Sequence, residues 1–166
     1  MITAVILAFE PPEHNVIQRS PRNAHEPILT HYLIWRVAFV SVILMSGTFC
    51  LFQWELDRGM SVGYARTVAV NTLVMFEIFY LFNSRYINNS ALNWSGITGN
   101  RYVLIAISMH IIFQLGFTYL NPMQSLFGTT SVDVDVLLRI VVISSSVFFL
   151  VELEKYILRS WAHYPK

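Results

Sequence analysis

Apolar residues run through this chain in four long blocks separated by charges. Between Arg36 and Glu55 lies VAFVSVILMSGTFCLFQW, with no charge at all. Between Arg66 and Arg85 lies TVAVNTLVMFEIFYLFNS, apolar except for Glu77. A third block follows Tyr102, VLIAISMHIIFQLGFTYL, and Pro122 should end its helix because proline has no amide hydrogen to give. The fourth, from about Val136 to Leu153, holds Arg139 near its start and then IVVISSSVFFLV. Each block approaches the ~20 residues that a helix needs to cross a bilayer, allowing for tilt and for flanking arginines that snorkel. Uninterrupted apolar runs of this length favour membrane helices over soluble core helices. The pattern predicts an all-α polytopic membrane protein, a bundle of four transmembrane helices with spans near 36–54, 66–84, 102–120 and 136–154.

Basic residues then orient the spans. The segment before the first span holds Arg19 and Arg22, the loop after the second holds Arg85 and Arg101, and the tail holds Lys155, Arg159 and Lys166. The opposite side has only Arg58 and Arg66, and the loop from Asn121 to Asp135 has no basic residue. Arg36 and Arg139 lie at span ends and are left out of the count. The positive-inside rule reads this asymmetry as both termini in the cytoplasm, in a plasma or inner membrane. Trp35, Trp54 and Tyr119 lie near span ends, where amphipathic rings favour the interface. Two glycosylation acceptor patterns, at Asn88 and Asn93, would then face the cytoplasm and stay unmodified.

Composition supports a membrane class and closes others. Of the 166 residues 55% are hydrophobic and only 13% charged, with a mean hydropathy of +0.52. A net charge of +1 supplies no basic field for nucleic acid. The single cysteine, Cys50, supports neither a disulfide framework nor a thiolate metal site, and is expected to be a small buried hydrophobe. Met1 to Phe9 is apolar but has no basic start and no cleavage site. Nine helical residues reach only about 14 Å, too short to span. Four of the six prolines fall between Glu10 and Pro27, which reads as a polar linker.

Glu77 is the residue that carries most chemical information. An ionisable group at mid-span costs a few kcal/mol unless it faces protein or water. It can stay protonated and bond to a neighbouring helix, or it can meet a cation, since a carboxylate suits hard ions such as Ca²⁺. Helical spacing puts Val70, Leu73, Val74, Tyr80, Leu81 and Ser84 on its face. One carboxylate with Tyr80 is not a complete cation cage. In the third span His110 and Gln114 share a face at i, i+4, with Thr118 a turn further on. Polar glue between helices accounts for them best, with a proton relay as the sharper alternative. Haem would want a second histidine at matching depth, and His110 is the only one inside a span. Ser144, Ser145 and Ser146 suit close helix approach, and Glu152, Glu154 and Lys155 read as interface anchors. A phosphate loop, a Ser/His/Asp set and a Cys/His cluster are missing from the sequence.

Several strings resemble the C-terminal membrane region of P-type cation-transporting ATPases, from the end of the sixth helix to the tenth. LAFEPPEHNVIQRSPR, Leu7 to Arg22, is similar to the family's exit from the sixth helix, a Phe-Glu/Asn-Pro-Pro turn followed by an Arg-x-Pro-Arg-like element. YARTVAVNTLVMFEIFYLFNSR, Tyr64 to Arg85, resembles the eighth helix. TYLNPM, Thr118 to Met123, and FLVELEKYILR, Phe149 to Arg159, resemble the ends of the ninth and tenth. The strings keep family order over nearly the whole chain, with a calcium-pump and bacterial flavour. The resemblance implies that residues 1–30 are the end of a membrane helix plus a cytoplasmic linker, 31–160 the four-helix membrane domain, and 161–166 a cytoplasmic tail. It also places Glu77 where calcium pumps carry a cation-ligating glutamate on the eighth helix, with Tyr80, His110 and Gln114 as supporting polar positions.

Family pumps use ATP and Mg²⁺ and need an Asp-Lys-Thr-Gly-Thr phosphorylation motif, a nucleotide domain and an actuator domain. None of these occurs in the 166 residues, so the chain is not expected to be an enzyme or to hold a cofactor alone. The expectation is a membrane-domain fragment that contributes to cation transport, with Ca²⁺ the first candidate, together with the N-terminal part of a pump. One alternative is a regulatory membrane subunit docking on a full-length pump. Another is a small proton-coupled or ion carrier built on Glu77 and His110. The lipid bilayer is a partner in every case, and nucleic acid in none.

Overall fold

A computed structural model describes residues 31–84 and 101–162. The segment expected over 1–30, the Asn-rich loop with both acceptor patterns and the tail residues 163–166 lie outside the described residues. Among the described residues five helices follow in order: α1 (His31–Asp57), α2 (Val62–Ser84), α3 (Arg101–Tyr119), α4 (Asn121–Phe127) and α5 (Val134–Ala162). No strand occurs among the described residues. Three helices, α1, α2 and α5, are each long and apolar enough to cross a membrane, and α3 with α4 qualifies as a pair. The chain is an all-α polytopic membrane bundle.

The helix α2 is the centre of that bundle. It packs along α5 and α1, whereas α3 touches it over a shorter length. Two apolar clusters fill the seams. Leu51, Val68, Val132, Val136 and Ile140 pack near one end, and Val40, Phe76, Val147 and Val151 near the other, with Ile143 between them. At Gly47 the helices α1 and α2 come so close that a Cβ would lie 2.5 Å from the Phe76 ring. Apolar lipid gives helices no hydrophobic reason to associate, so close approach at small residues supplies the dispersion contact that holds them. Ser144, fully buried, faces Thr72 of α2 in the same way, and Ser145 bonds back to Val142 of its own helix. Cys50, expected inside, is exposed on α1, because α1 is peripheral and buries little of its surface.

Charge pairs tie each end of the bundle. At one end Arg36 of α1 is buried, 2.7 Å from Glu154 of α5, and donates to the Tyr32 hydroxyl at 2.8 Å. Lys155, also buried, pairs with Glu152 and donates to the carbonyl of Asn83 at 3.1 Å. It thus caps the last turn of α2 with a cation, where helix carbonyls lack partners. At the opposite end Glu55 is fully buried and accepts from Arg58 and from Arg139 of α5, both near 3 Å. Arg139 stacks over Trp54, with 5.0 Å to the ring centroid. The expected anchor role of Glu154 and Lys155 is therefore corrected: both turn inward and join helices.

Between α1 and α2 the turn is tight. Met60 N–H donates to Glu55 O, Gly59 takes a left-handed φ of 79°, and Ser61 Oγ accepts from Tyr64 N–H as the cap of α2. The expected loop after Pro122 contains a further helix, which corrects the sequence reading. Pro122 sits in the first turn of α4, where a missing amide costs nothing, and α4 turns 75° away from α3. Gln124 reaches back to the carbonyl of Thr118 at 2.7 Å, and Gly128, at φ 62°, closes α4.

Gly47→Ala should lower bundle stability in detergent by about 1–3 kcal/mol, since the buried Phe76 ring would have to shift to admit the methyl group. Gly116→Ala, whose Cβ meets only Leu120 at an ordinary 3.5 Å, should be close to neutral in the same denaturation assay. Arg36→Met should cost about 3–5 kcal/mol by stranding the Glu154 carboxylate, and the added Glu154→Leu should recover most of that loss. Equal losses in the single and double variants would dismiss the pairing.

Candidate functional site

Because α2 is packed from several sides, which of its faces stays open is informative. Its buried positions, among them Ala65, Val68, Thr72, Phe76 and Asn83, meet α1 and α5. Thr67 and Asn71 meet α3 and the segment after α4. Arg66, Val70, Leu73, Glu77, Tyr80 and Ser84, all exposed or half-buried, form the remaining stripe at helical spacing. Glu77 stands at its middle. It makes no hydrogen bond or ion pair with the described residues. Sequence reasoning expected neighbours to shield this carboxyl; the described helices leave it half-exposed because the packed faces of α2 point elsewhere.

The supporting positions separate. Tyr80, half-buried, leans on the apolar cluster around Phe76 and sits beside Arg36 and Glu154 rather than joining Glu77 in a cage. Leu81 of the expected Glu77 face is buried instead. His110 and Gln114 line a cleft of about 810 Å³ whose α2 wall is Val70, a member of the Glu77 stripe. Gln114 is buried, and its Nε2 has no partner among the described residues. Thr118, one turn on, is locked: Asn71 Nδ2 donates to its Oγ1 at 3.0 Å, and that hydroxyl donates to the carbonyl of Gln114 at 2.8 Å. The polar-glue reading of this face holds for Thr118.

A second polar layer went unread in the sequence. Thr130 N–H donates to Thr67 Oγ1 at 3.0 Å, Thr67 in turn to the carbonyl of Gly63, and Arg66 to the carbonyl of Phe127 at 3.2 Å. These contacts seat the connection after α4 on the start of α2. Thr67, Asn71 and Thr72 recur at i, i+4 and i+5, a polar stripe inside an apolar span that could have signalled a packed face.

Chemically, Glu77 offers two oxygens suited to a hard cation. No group of three His, Cys, Asp or Glu side chains gathers among the described residues, so a complete all-carboxylate shell is not assembled there. Whatever completes a site on this stripe must approach from outside α1, α2, α3 and α5.

Comparison with known proteins agrees with this architecture. Residues 1–157 match the family model described as "Cation transporting ATPase, C-terminus". The chain is 36% identical over 170 residues to a protein named "Probable cation-transporting ATPase F" of Mycobacterium tuberculosis, an alignment that takes in 99% of this chain and 19% of that protein. It is 32% identical over 136 residues to "Cation-transporting ATPase pma1" of Synechocystis, with 78% of this chain and 15% of that one covered. It is 32% identical over 154 residues to human "Calcium-transporting ATPase type 2C member 1", covering 93% and 17%. The chain thus spans about a fifth or less of the length of the curated relatives it matches.

Glu77→Gln should leave the stability of the isolated chain unchanged within about 0.5 kcal/mol, because no partner among the described residues is lost. Asn71→Leu, which removes the hydrogen bond to Thr118 that joins α2 to α3, should cost about 1–2 kcal/mol and speed hydrogen exchange in α3. A large loss at Glu77 with none at Asn71 would reverse this assignment of packed and open faces.

Proposed function

Since this chain belongs to the cation-transporting ATPase family, as its C-terminal membrane region, we propose that it supplies one wall of a cation path to the rest of a P-type pump. The observation that carries the reading is Glu77, without a partner among the described residues, at the middle of the stripe of α2 that the described helices leave open. A mid-membrane carboxyl with no internal partner is tolerable where another helix or a cation completes its surroundings. Two relatives are named for different cargo, cation and calcium, and Ca²⁺ is the cation proposed first because a carboxylate oxygen suits it.

In this reading the Arg36–Glu154 end of the bundle faces the cytoplasm, with both termini there, in a plasma or inner membrane. The distribution of lysine and arginine supports that orientation. The 166 residues contain no phosphorylation motif, so phosphoryl transfer belongs to the remainder of the pump, which would bring ATP and Mg²⁺. Tyr80, His110 and Gln114 play supporting parts: Tyr80 steadies the Arg36 end, and His110 with Gln114 lines the cleft next to the stripe. The same open stripe would serve a regulatory subunit that docks on an intact pump, but docking alone gives no reason for a charge at its middle.

The purified chain alone should show no ATPase activity. A chimera in which this chain replaces the matching region of a related calcium-transporting ATPase should show Ca²⁺-stimulated hydrolysis. In that chimera Glu77→Gln should weaken the apparent Ca²⁺ affinity about tenfold or more. A chimera active with unchanged affinity after Glu77→Gln would remove the carboxylate from the cation path.

A further inference from the structure

We propose that α4 is an interfacial helix, lying flat in the leaflet at the Glu55 end of the bundle with its apolar face among uncharged lipid. The seven residues NPMQSLF divide by helical spacing into two faces. Pro122, Met123, Leu126 and Phe127 fall on one arc; Asn121, Gln124 and Ser125 fall on the other. The polar arc is used by the protein, through Gln124 and the carbonyl of Thr118. The apolar arc is not: Leu126 is 74% exposed and Phe127 48%.

Three observations select lipid as what covers it. First, α3 has nineteen residues, about 28 Å of helix, which brings its last turn to the level of the headgroups when it crosses a ~30 Å core. The 75° bend that follows lays α4 near the membrane plane instead of continuing outward. Second, the apolar arc continues the surface that α3 itself presents to the bilayer. Phe127 packs on Phe117 with centroids 5.1 Å apart, and Phe113 on the same helix and Leu120 just after it are exposed. Third, no charge occurs from Tyr119 to Val132, and the first charges beyond are the exposed acids Asp133 and Asp135. A helix that uses anionic headgroups carries lysine or arginine on its polar face. This one has neither, so zwitterionic lipid suffices.

The geometry also explains why the bend is held so firmly. Arg66 donates to the carbonyl of Phe127 and Tyr119 donates from its hydroxyl to the carbonyl of Val132 at 2.8 Å. Both bonds pull the far end of α4 back onto the bundle, so its depth is fixed by the spans.

The test uses the full 166-residue chain in phosphatidylcholine vesicles, with Cys50→Ser removing the native thiol. An environment-sensitive fluorophore is attached through Leu126→Cys, Met123→Cys or Ser125→Cys. Co-elution with the unlabelled protein qualifies each variant, and positions 126 and 123 test the same face independently. At both, nitroxide lipids labelled near the headgroup should quench about threefold more than nitroxides at the bilayer centre or aqueous iodide. At 125 iodide should quench most. Adding phosphatidylserine should leave these ratios unchanged. Stronger central quenching at 126 and 123 would mean that α4 enters the hydrocarbon, and stronger iodide quenching that it stands in water. Protection from all three quenchers would mean that protein covers the face. Any of these overturns the proposal.

Discussion

A carboxylate taken out of water is costly unless a cation meets it, and Glu55 and Glu154 are each met from a different helix. That requirement organises the bundle. Arg139 reaches from α5 to Glu55 of α1, and Arg36 reaches from α1 to Glu154 of α5, so the first and last described helices are clamped at both ends. With that clamp set, α2 lies in the groove between α1 and α5, and its rotation is fixed by Phe76 against Gly47 and by Asn83, which donates to the carbonyl of Phe148. Buried ion pairs are poor sources of net stability, but they penalise every arrangement that separates the partners. Here the penalised arrangements include any rotation of α5 about its axis.

The rotation of α2 in turn decides where Glu77 goes. Two faces are consumed by α1 and α5, and a third by the Asn71–Thr118 contact with α3. What remains is the stripe from Arg66 to Ser84. The open stripe is thus a residue of packing, and its carboxyl is displayed by what surrounds it elsewhere.

Hydropathy made the four long helices legible, because backbone polar groups away from water must bond to one another, and a long apolar block without alternation, such as Val37–Trp54, does so as a helix. It did not separate the roles of charges at span ends. Arg36 and Glu154 look like snorkelling anchors in sequence, since an anchor and a buried pair share the same position beside an apolar block. Their pairing depends on which helices become neighbours, and α1 and α5 meet across nearly the full described chain. The helix α4 was hidden for another reason: Pro122 marks the end of one helix and the start of another with equal force. Glu77 was conspicuous as a residue, whereas its lack of a partner among the described residues is a property of tertiary packing alone.

The Arg36–Glu154 contact also has a consequence for biogenesis. Synthesis proceeds from the N-terminus, so Arg36 is delivered to the bilayer long before its counter-charge exists. Until α5 emerges, its guanidinium has only water and the Tyr32 hydroxyl of its own helix to bond, which its place near the end of α1 allows. Synthesis of α5 therefore supplies the carboxylate that lets Arg36 leave water, so the two helices can lock together only after both have been made.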